Sequence, residues 1–267
     1  MSPHQRPWTG GQVTERARCV LAPNPGHMTL EGTNTWVVRA PGGDRSVVID
    51  PGPLAEGHLA AVLAAAGHVA AVLVTHRHHD HTEAAAAFAA MASCVVRAAD
   101  PEQCIGAEPL DDGEVVSVAG VGLEVVATPG HTTDSVCLLL PADRQLFTGD
   151  TVLGRGTAVV THPDGTLATY LASLDRLRGL VASGPVTGLL PGHGPPVTDA
   201  GAVLEHYVTH RLERLEQVRA ALAAGDTTAR EVVARVYADI DEVLWPAAEM
   251  SVAAQLDYLE RGRPAPR

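Results

Sequence analysis

The stretch Thr75-His76-Arg77-His78-His79-Asp80-His81 decides how the rest of the chain is read. Imidazoles and a carboxylate at this spacing make a metal site, because neutral imidazole and carboxylate oxygen together suit a zinc-like ion. The preceding Ala70-Ala71-Val72-Leu73-Val74 reads as a buried strand. The alanine-rich Thr82 to Ala92 that follows reads as a helix. The cluster thus falls on a strand-to-helix connection, where a rigid scaffold delivers side chains into a cleft. His76 and His78 alternate by two and can point to one side of an extended segment. Asp80 and His81 fall where the chain turns and can face a neighbouring metal position. A solvated polar loop with chance histidines is the bland alternative, and matching pieces downstream weigh against it.

Those pieces are Thr128-Pro129-Gly130-His131-Thr132, Phe147-Thr148-Gly149-Asp150 and Leu190-Pro191-Gly192-His193-Gly194. Each follows an apolar, strand-like run and sets one metal-ligating residue beside a glycine, which lets the backbone turn tightly. The ordered set His76-x-His78-x-Asp80-His81, then His131, Asp150 and His193, resembles the metallo-β-lactamase-fold hydrolases over roughly residues 20 to 200. Residue by residue, the resemblance implies a first zinc on His76, His78 and His131. It implies a second on Asp80, His81 and His193, with Asp150 bridging. Two such ions would share a hydroxide, whose pKa they lower toward about 7, so no side-chain nucleophile is needed. Asp80 would also orient that hydroxide.

Asp50 matches the aspartate that ends the second strand in this family, and reads as forming the turn or bracing a ligand rather than ligating. His79 breaks the ligand pattern and reads as a bracing or surface residue. His27 and His162 are candidates for the cleft wall. His4, His58, His68, His206 and His210 read as ordinary helix or surface residues. Two departures matter. Thr82-Glu83-Ala84 stands where the family often has a glycine pair, and Glu83 would favour a helix N-terminus or crowd the cleft. The bridging residue is Asp150, where many true β-lactamases of this fold carry cysteine, which argues against β-lactam hydrolysis.

The chain has 267 residues and is 46% hydrophobic, enough for one large domain with an appendage. No long apolar run reads as a membrane span, and Met1 to Gly10 lacks the apolar core of a signal peptide. A cytoplasmic location is the expectation. A net charge of −12 argues against a broad nucleic-acid-coating role. Cys19, Cys94, Cys104 and Cys137 form no C-x-x-C pair and read as reduced and mostly buried; a Cys94–Cys104 bridge is the one pairing considered.

Residues 1 to 19 read as a loose lead-in and Val20 to Gly26 as turn-rich. Thr33 to Arg39 and Ser46 to Asp50 read as strands joined through Pro41-Gly42-Gly43-Asp44. Leu54 to Ala66 reads as a helix closed by Gly67. Short strands follow at Val95-Val96, Val115-Val116, Leu123 to Ala127, Val136 to Leu140 and Gln145 to Phe147. Ala168 to Val181 reads as an amphipathic helix. From Ala202 apolar residues recur every three or four positions to Leu222, a long helix. Thr228-Ala229-Arg230-Glu231 is a capping box for the next. Trp245-Pro246 reads as a break, with a last helix from Ser251 to about Arg261.

Mixed strands and helices without a regular βαβ rhythm fit an α/β fold of two sheets with outer helices; the resemblance implies a four-layer αβ/βα sandwich in residues 1–200, with a small helical, winged-helix-like appendage in 201–267. Gly149 to Gly154 continuing into Gly156 to Val160, Pro191-Gly192-His193-Gly194-Pro195 leading into the helix with His206-Tyr207 and His210-Arg211, and the tail together resemble the lactamase-beta-2-like group over nearly the whole chain. That implies hydrolysis of single-stranded RNA, as in some members, or of a small ester or thioester, as in related thioesterases. A non-catalytic, metal-loaded binding module and oxidative chemistry at a di-iron version of the site are the readings outside hydrolysis. Arg211, beside His210 and Arg214, is the candidate to receive a substrate phosphate or carboxylate. The appendage would cap the cleft or support a homodimer.

Overall fold

Period-two alternation of apolar residues that are buried on both sides is what builds this fold. The computed structural model describes residues 7–261. The first half gives β1 (Gly11–Gln12), β2 (Ala17–Leu21), β3 (Asn34–Val38), β4 (Arg45–Ile49), α1 (Glu56–Ala66), β5 (His68–Leu73), the single-turn α2 (His79–Thr82), α3 (Ala85–Ala92) and β6 (Val95–Arg97). Its six strands form one sheet in sequence order, antiparallel from β1 to β4 and parallel from β4 to β6. The second half gives β7 (Val115–Val118), β8 (Val121–Ala127), β9 (Val136–Leu140), β10 (Gln145–Gly149), α4 (Leu167–Ser183) and β11 (Gly188–Pro191). These five strands form a second sheet in the order β11-β10-β9-β8-β7, with only β10 and β11 parallel.

Each central strand sends alternate residues to two cores. Trp36, Val38, Val47 and Ile49 of the first sheet meet Leu123, Leu138, Leu140 and Phe147 of the second in the layer between the sheets. Trp36 and Phe147 pack edge to face with ring centroids 5.7 Å apart. The intervening Val37 and Val48 face outward under α1 and α3. Cys137, Leu139 and Leu146 face outward under α4 and the long α5 (Ala200–Ala223). The result is helices, sheet, sheet, helices, the four layers expected.

After α5 come α6 (Ala229–Val236) and α7 (Trp245–Arg261). Thr228 and Glu231 cap α6 reciprocally, as the sequence indicated. The N-terminal half of α5 packs Leu204 and Tyr207 on the second sheet's outer core. Its C-terminal half packs Val218 and Ala221 against Val232, Val233 and Val252 of α6 and α7. No helix among the described residues is long and apolar enough to cross a membrane.

Several boundaries differ from the sequence reading. The expected lead-in contains β1 and the start of β2, which runs on into the stretch read as turn-rich, and both strands extend the first sheet; residues 1–6, with His4, lie outside the described residues. The helix expected over Thr82 to Ala92 starts at His79 and is split into α2 and α3. Trp245-Pro246 opens α7 instead of breaking the chain, because proline is tolerated in a helix's first turn, where N–H groups have no intrahelical acceptor. Cys94 and Cys104 are free thiols rather than a bridge.

Candidate metal centre

The connections that follow four strands meet at one edge of the sandwich. His76, His78, Asp80 and His81 follow β5 and enter α2; His131 follows β8, Asp150 follows β10 and His193 follows β11. The structure brings all seven together. His78 Nδ1 lies 3.1 Å from His76 Nε2 and 2.9 Å from His131 Nε2. His193 Nε2 lies 3.3 Å from His81 Nε2 and 3.1 Å from Asp80 Oδ2. Asp150 stands between the groups: Oδ1 is 3.5 Å from His81 Nε2, and Oδ2 is 3.4 Å from His193 Nε2 and 3.9 Å from His131 Nε2. The ligand atoms of His76, His78 and His131 converge, and so do those of Asp80, His81 and His193.

The far nitrogens of four of these histidines are each held from behind. His81 Nδ1 donates to Asp50 Oδ2 at 2.9 Å, His131 Nδ1 to the Val159 carbonyl at 2.7 Å and His193 Nδ1 to the Gly32 carbonyl at 3.2 Å. His76 Nδ1 donates to Thr75 Oγ1 at 3.1 Å, and that hydroxyl donates to Asp50 Oδ2 at 2.7 Å. Such partners fix ring orientation and tautomer for a metal ligand. They leave the Nε2 lone pairs facing one another at the centre. Asp150 Oδ1 is buried there without a hydrogen-bond partner. Lone pairs and an unmet carboxylate oxygen crowded together call for a cation, so the residues present fit a metal.

Electrostatics divide the cluster. Burial, helped by charge on His81 and His131, holds His76 well below the ordinary imidazole value. Burial also lowers His78 and brings His131 to about 4. Those three rings are neutral and ready to ligate. Burial opposes charge on His81 and His193 as well, but carboxylates outweigh it. Asp150, Asp50 and Asp80 lift His81 well above its usual value, and Asp150 and Asp80 lift His193 to about 9. Burial resists ionisation of Asp80, yet His81 and His193 bring it to about 2.

Two glycines beside the ligands have different reasons to be there. Gly149 takes a left-handed φ of 47° against Thr75. At Gly192 the reason is close approach rather than a tight turn: an added Cβ would lie 2.5 Å from Asp150 Oδ1 and 2.7 Å from His81 Cε1.

The other sequence candidates fall as follows. Asp50 braces His81 and Thr75 rather than joining the ligands. His79 is exposed and lies 3.3 Å from Glu83, whose other oxygen accepts from the Leu54 amide at 3.0 Å. His27 and Arg211 both line a cavity of about 300 Å³ that reaches His131 and Asp150. His162 is not among its walls. His210 is, contrary to its reading as an ordinary helix residue. Leu244, just before α7, and Ala247, Ala248 and Ser251 within it also line the cavity. Nothing in the sequence marked them, because their apolar spacing reads equally well as packing.

A family model described as the metallo-beta-lactamase superfamily matches residues 28–193, and one for the beta-lactamase associated winged helix domain matches residues 228–263. A beta-lactamase-like protein 2 homolog of Drosophila melanogaster is 33% identical, across 94% of this chain and 89% of its own. An atrochrysone carboxyl ACP thioesterase of Aspergillus chevalieri is 34% identical, across 86% of this chain and 76% of its own. The crystal structure of a metallo-beta-lactamase family protein from Thermus thermophilus has the same fold, with a TM-score of 0.78 at 23% identity, covering 94% of this chain and 96% of that one. With its family match, its near-full-length relatives and its converging histidines and aspartates, this chain belongs to the metallo-beta-lactamase superfamily and is a hydrolase of that fold.

Proposed function

We propose that the protein is a metal-dependent thioesterase whose substrate lies in the cavity beside the cluster. The observation that carries this is the cavity itself: about 300 Å³, walled largely by Met28, Leu30, Leu153, Val159, Ile240 and Leu244, and open to His131 and Asp150. That size and apolar lining suit a small acyl group, and the thioesterase relative points the same way. The chain's net charge of −12 disfavours a long polyanion.

Five imidazoles and two carboxylates suit two zinc ions, one on His76, His78 and His131, the other on Asp80, His81 and His193, with Asp150 facing both. Zinc bound there supplies a Lewis acid and a water activated at neutral pH. The chain's own part is orientation. Asp80, ionised at neutral pH, is the most open carboxylate of the cluster and takes a hydrogen bond from Thr33 Oγ1 at 3.4 Å. It is placed to accept a proton from attacking water. The apolar walls exclude competing water and hold the acyl chain.

The test is turnover by zinc-loaded protein of an acyl N-acetylcysteamine thioester, beside labelled single-stranded RNA. Asp80→Asn serves as control. Thioester hydrolysis reduced by roughly a hundredfold or more in the variant is the expected result. RNA cleavage lost in the variant, with no thioester turnover by the parent, would replace this reading with a ribonuclease.

A further inference from the structure

One wall of the cavity carries positive charge that no carboxylate among the described residues balances. Arg155, also in the wall, pairs with Glu31 at 2.7 Å. Arg211 and Arg214 do not: among the described residues neither guanidinium meets a carboxylate. Arg211 is 3% exposed. It donates to the Ala158 carbonyl and stacks 5.0 Å over the Tyr170 ring. Arg214 donates to Gln217 Oε1 at 2.7 Å, approaches His210 Nε2 at 3.5 Å and stacks 4.6 Å over Tyr237. The only carboxylate in the cavity wall is Asp150, already committed to the cluster.

Unmet donors accompany the unmet charge. Arg211 Nε is buried without an acceptor, and so is His210 Nδ1. His210 Nε2 faces the Arg214 donor, so the proton of the neutral ring sits on Nδ1. Burial and the charges of Arg211 and Arg214 lower His210 to about 4, which keeps it neutral. Buried donors without acceptors are costly and rare in folded proteins. Here two fall on neighbouring residues of one helix turn, beside two uncompensated cations. The same turn is tied to the cluster: Arg211 holds the Ala158 carbonyl while His131 holds the next one, Val159.

We propose that His210, Arg211 and Arg214 form a subsite for anionic oxygen, so that the preferred substrate is a thioester carrying a fixed negative charge. This rests on the thioesterase reading. The shared chemistry is an oxyanion, held by charge-assisted hydrogen bonds from guanidinium groups. It can come from a carboxylate on the acyl chain or from a phosphate on the thiol arm.

Binding of unreactive thioethers tests the subsite independently of turnover. The zinc-loaded full chain is titrated calorimetrically with S-carboxybutyl N-acetylcysteamine, its neutral S-pentyl counterpart and S-pentyl phosphopantetheine. At least one charged probe is expected to bind roughly tenfold or more tightly than the neutral one, and which one does so identifies the source of the charge. In Arg214→Met that margin collapses; in Arg214→Lys, which keeps the charge, most of it returns. Equal affinities for all three probes would overturn the subsite, as would a margin that survives Arg214→Met. Should Arg214→Met not fold, Arg214→Gln takes its place. Hydrolysis of the matching thioesters, measured alongside, judges the thioesterase reading separately.

Discussion

At Asp50 a non-glycine backbone takes a φ of 51°, and three donors converge on one carboxylate: the Thr75 amide at 2.8 Å, Thr75 Oγ1 at 2.7 Å and His81 Nδ1 at 2.9 Å. Asparagine tolerates that backbone conformation, so Asp50→Asn tests the bracing alone. Its amide would face two donors where the carboxylate accepted both, and His81 would lose its fixed tautomer. Metal affinity is expected to fall about 10- to 100-fold in a chelator competition; unchanged affinity would show that Asp50 only shapes the turn. Gly192→Ala tests the other side of the same ring, since its Cβ would displace Asp150 or His81. Metal content per chain should drop, and full occupancy would refute the close-approach argument. The histidines also set a pH dependence. In metal-free protein His193 is raised to about 9, so its contribution to stability is complete below the unfolded value of about 6.5 and is lost as pH rises through 9. His131, lowered to about 4, acts oppositely: its contribution is present above about 6.5 and is lost as pH falls through 4. Metal must displace the protons on His81 and His193, so uptake near pH 7 should release protons, seen as calorimetric heats that vary with buffer, and release should diminish as pH rises through 9. Four of the seven converging side chains were legible because their spacing within one connection is dense, and His131, Asp150 and His193 because each stands beside a glycine after an apolar run. The Val159 and Gly32 carbonyls that hold His131 and His193 were not, since a backbone oxygen leaves no mark in a sequence.

Two tyrosines, one on α4 and one on α5, hold the loop that follows Asp150. Tyr170 Oη donates to the Thr151 carbonyl at 2.6 Å, and Tyr207 Oη accepts from the Leu153 amide at 2.7 Å. Both rings are buried among aliphatic residues of the outer core. Tyr207→Phe removes the acceptor and leaves a half-buried N–H unmet, a cost of about 1–3 kcal/mol. With about 2–4 °C per kcal/mol for a chain of this size, Tm should fall by several degrees. An unchanged Tm would mean that water or a shifted loop satisfies the Leu153 amide. At this scale the helices α4, α5 and α6 were readable, because apolar spacing and the Thr228–Glu231 box are local signals. The strands β1 and β2 were not: β1 is two residues long, and Arg18 interrupts the apolar residues of β2. The start of α7 was hidden because proline signals a break and a first helical turn alike, and only packing against α6 decides between them.

Seen whole, the molecule is two sheets whose ligand-bearing ends meet at one edge, three histidines and Asp80 from the first, His131, Asp150 and His193 from the second. Both groups of converging ligand atoms, His76 and His78 with His131 and Asp80 and His81 with His193, therefore join the two sheets. The cores do not depend on them: the layer between the sheets and both outer layers are filled with buried aliphatic and aromatic side chains. Chelated protein should accordingly keep its secondary structure by circular dichroism, unlike small domains that unfold without their metal. It should still lose stability, because a ligand that binds only the folded state adds about 2.7 kcal/mol at a hundred times its Kd. That corresponds to a fall in Tm of about 5–10 °C on metal removal. Readdition of zinc should restore it in proportion to the metal bound. Identical melting of chelated and reloaded samples, with metal content verified in both, would mean that the cluster does not hold a stabilising ion. It would also remove the zinc on which the proposed hydrolysis depends.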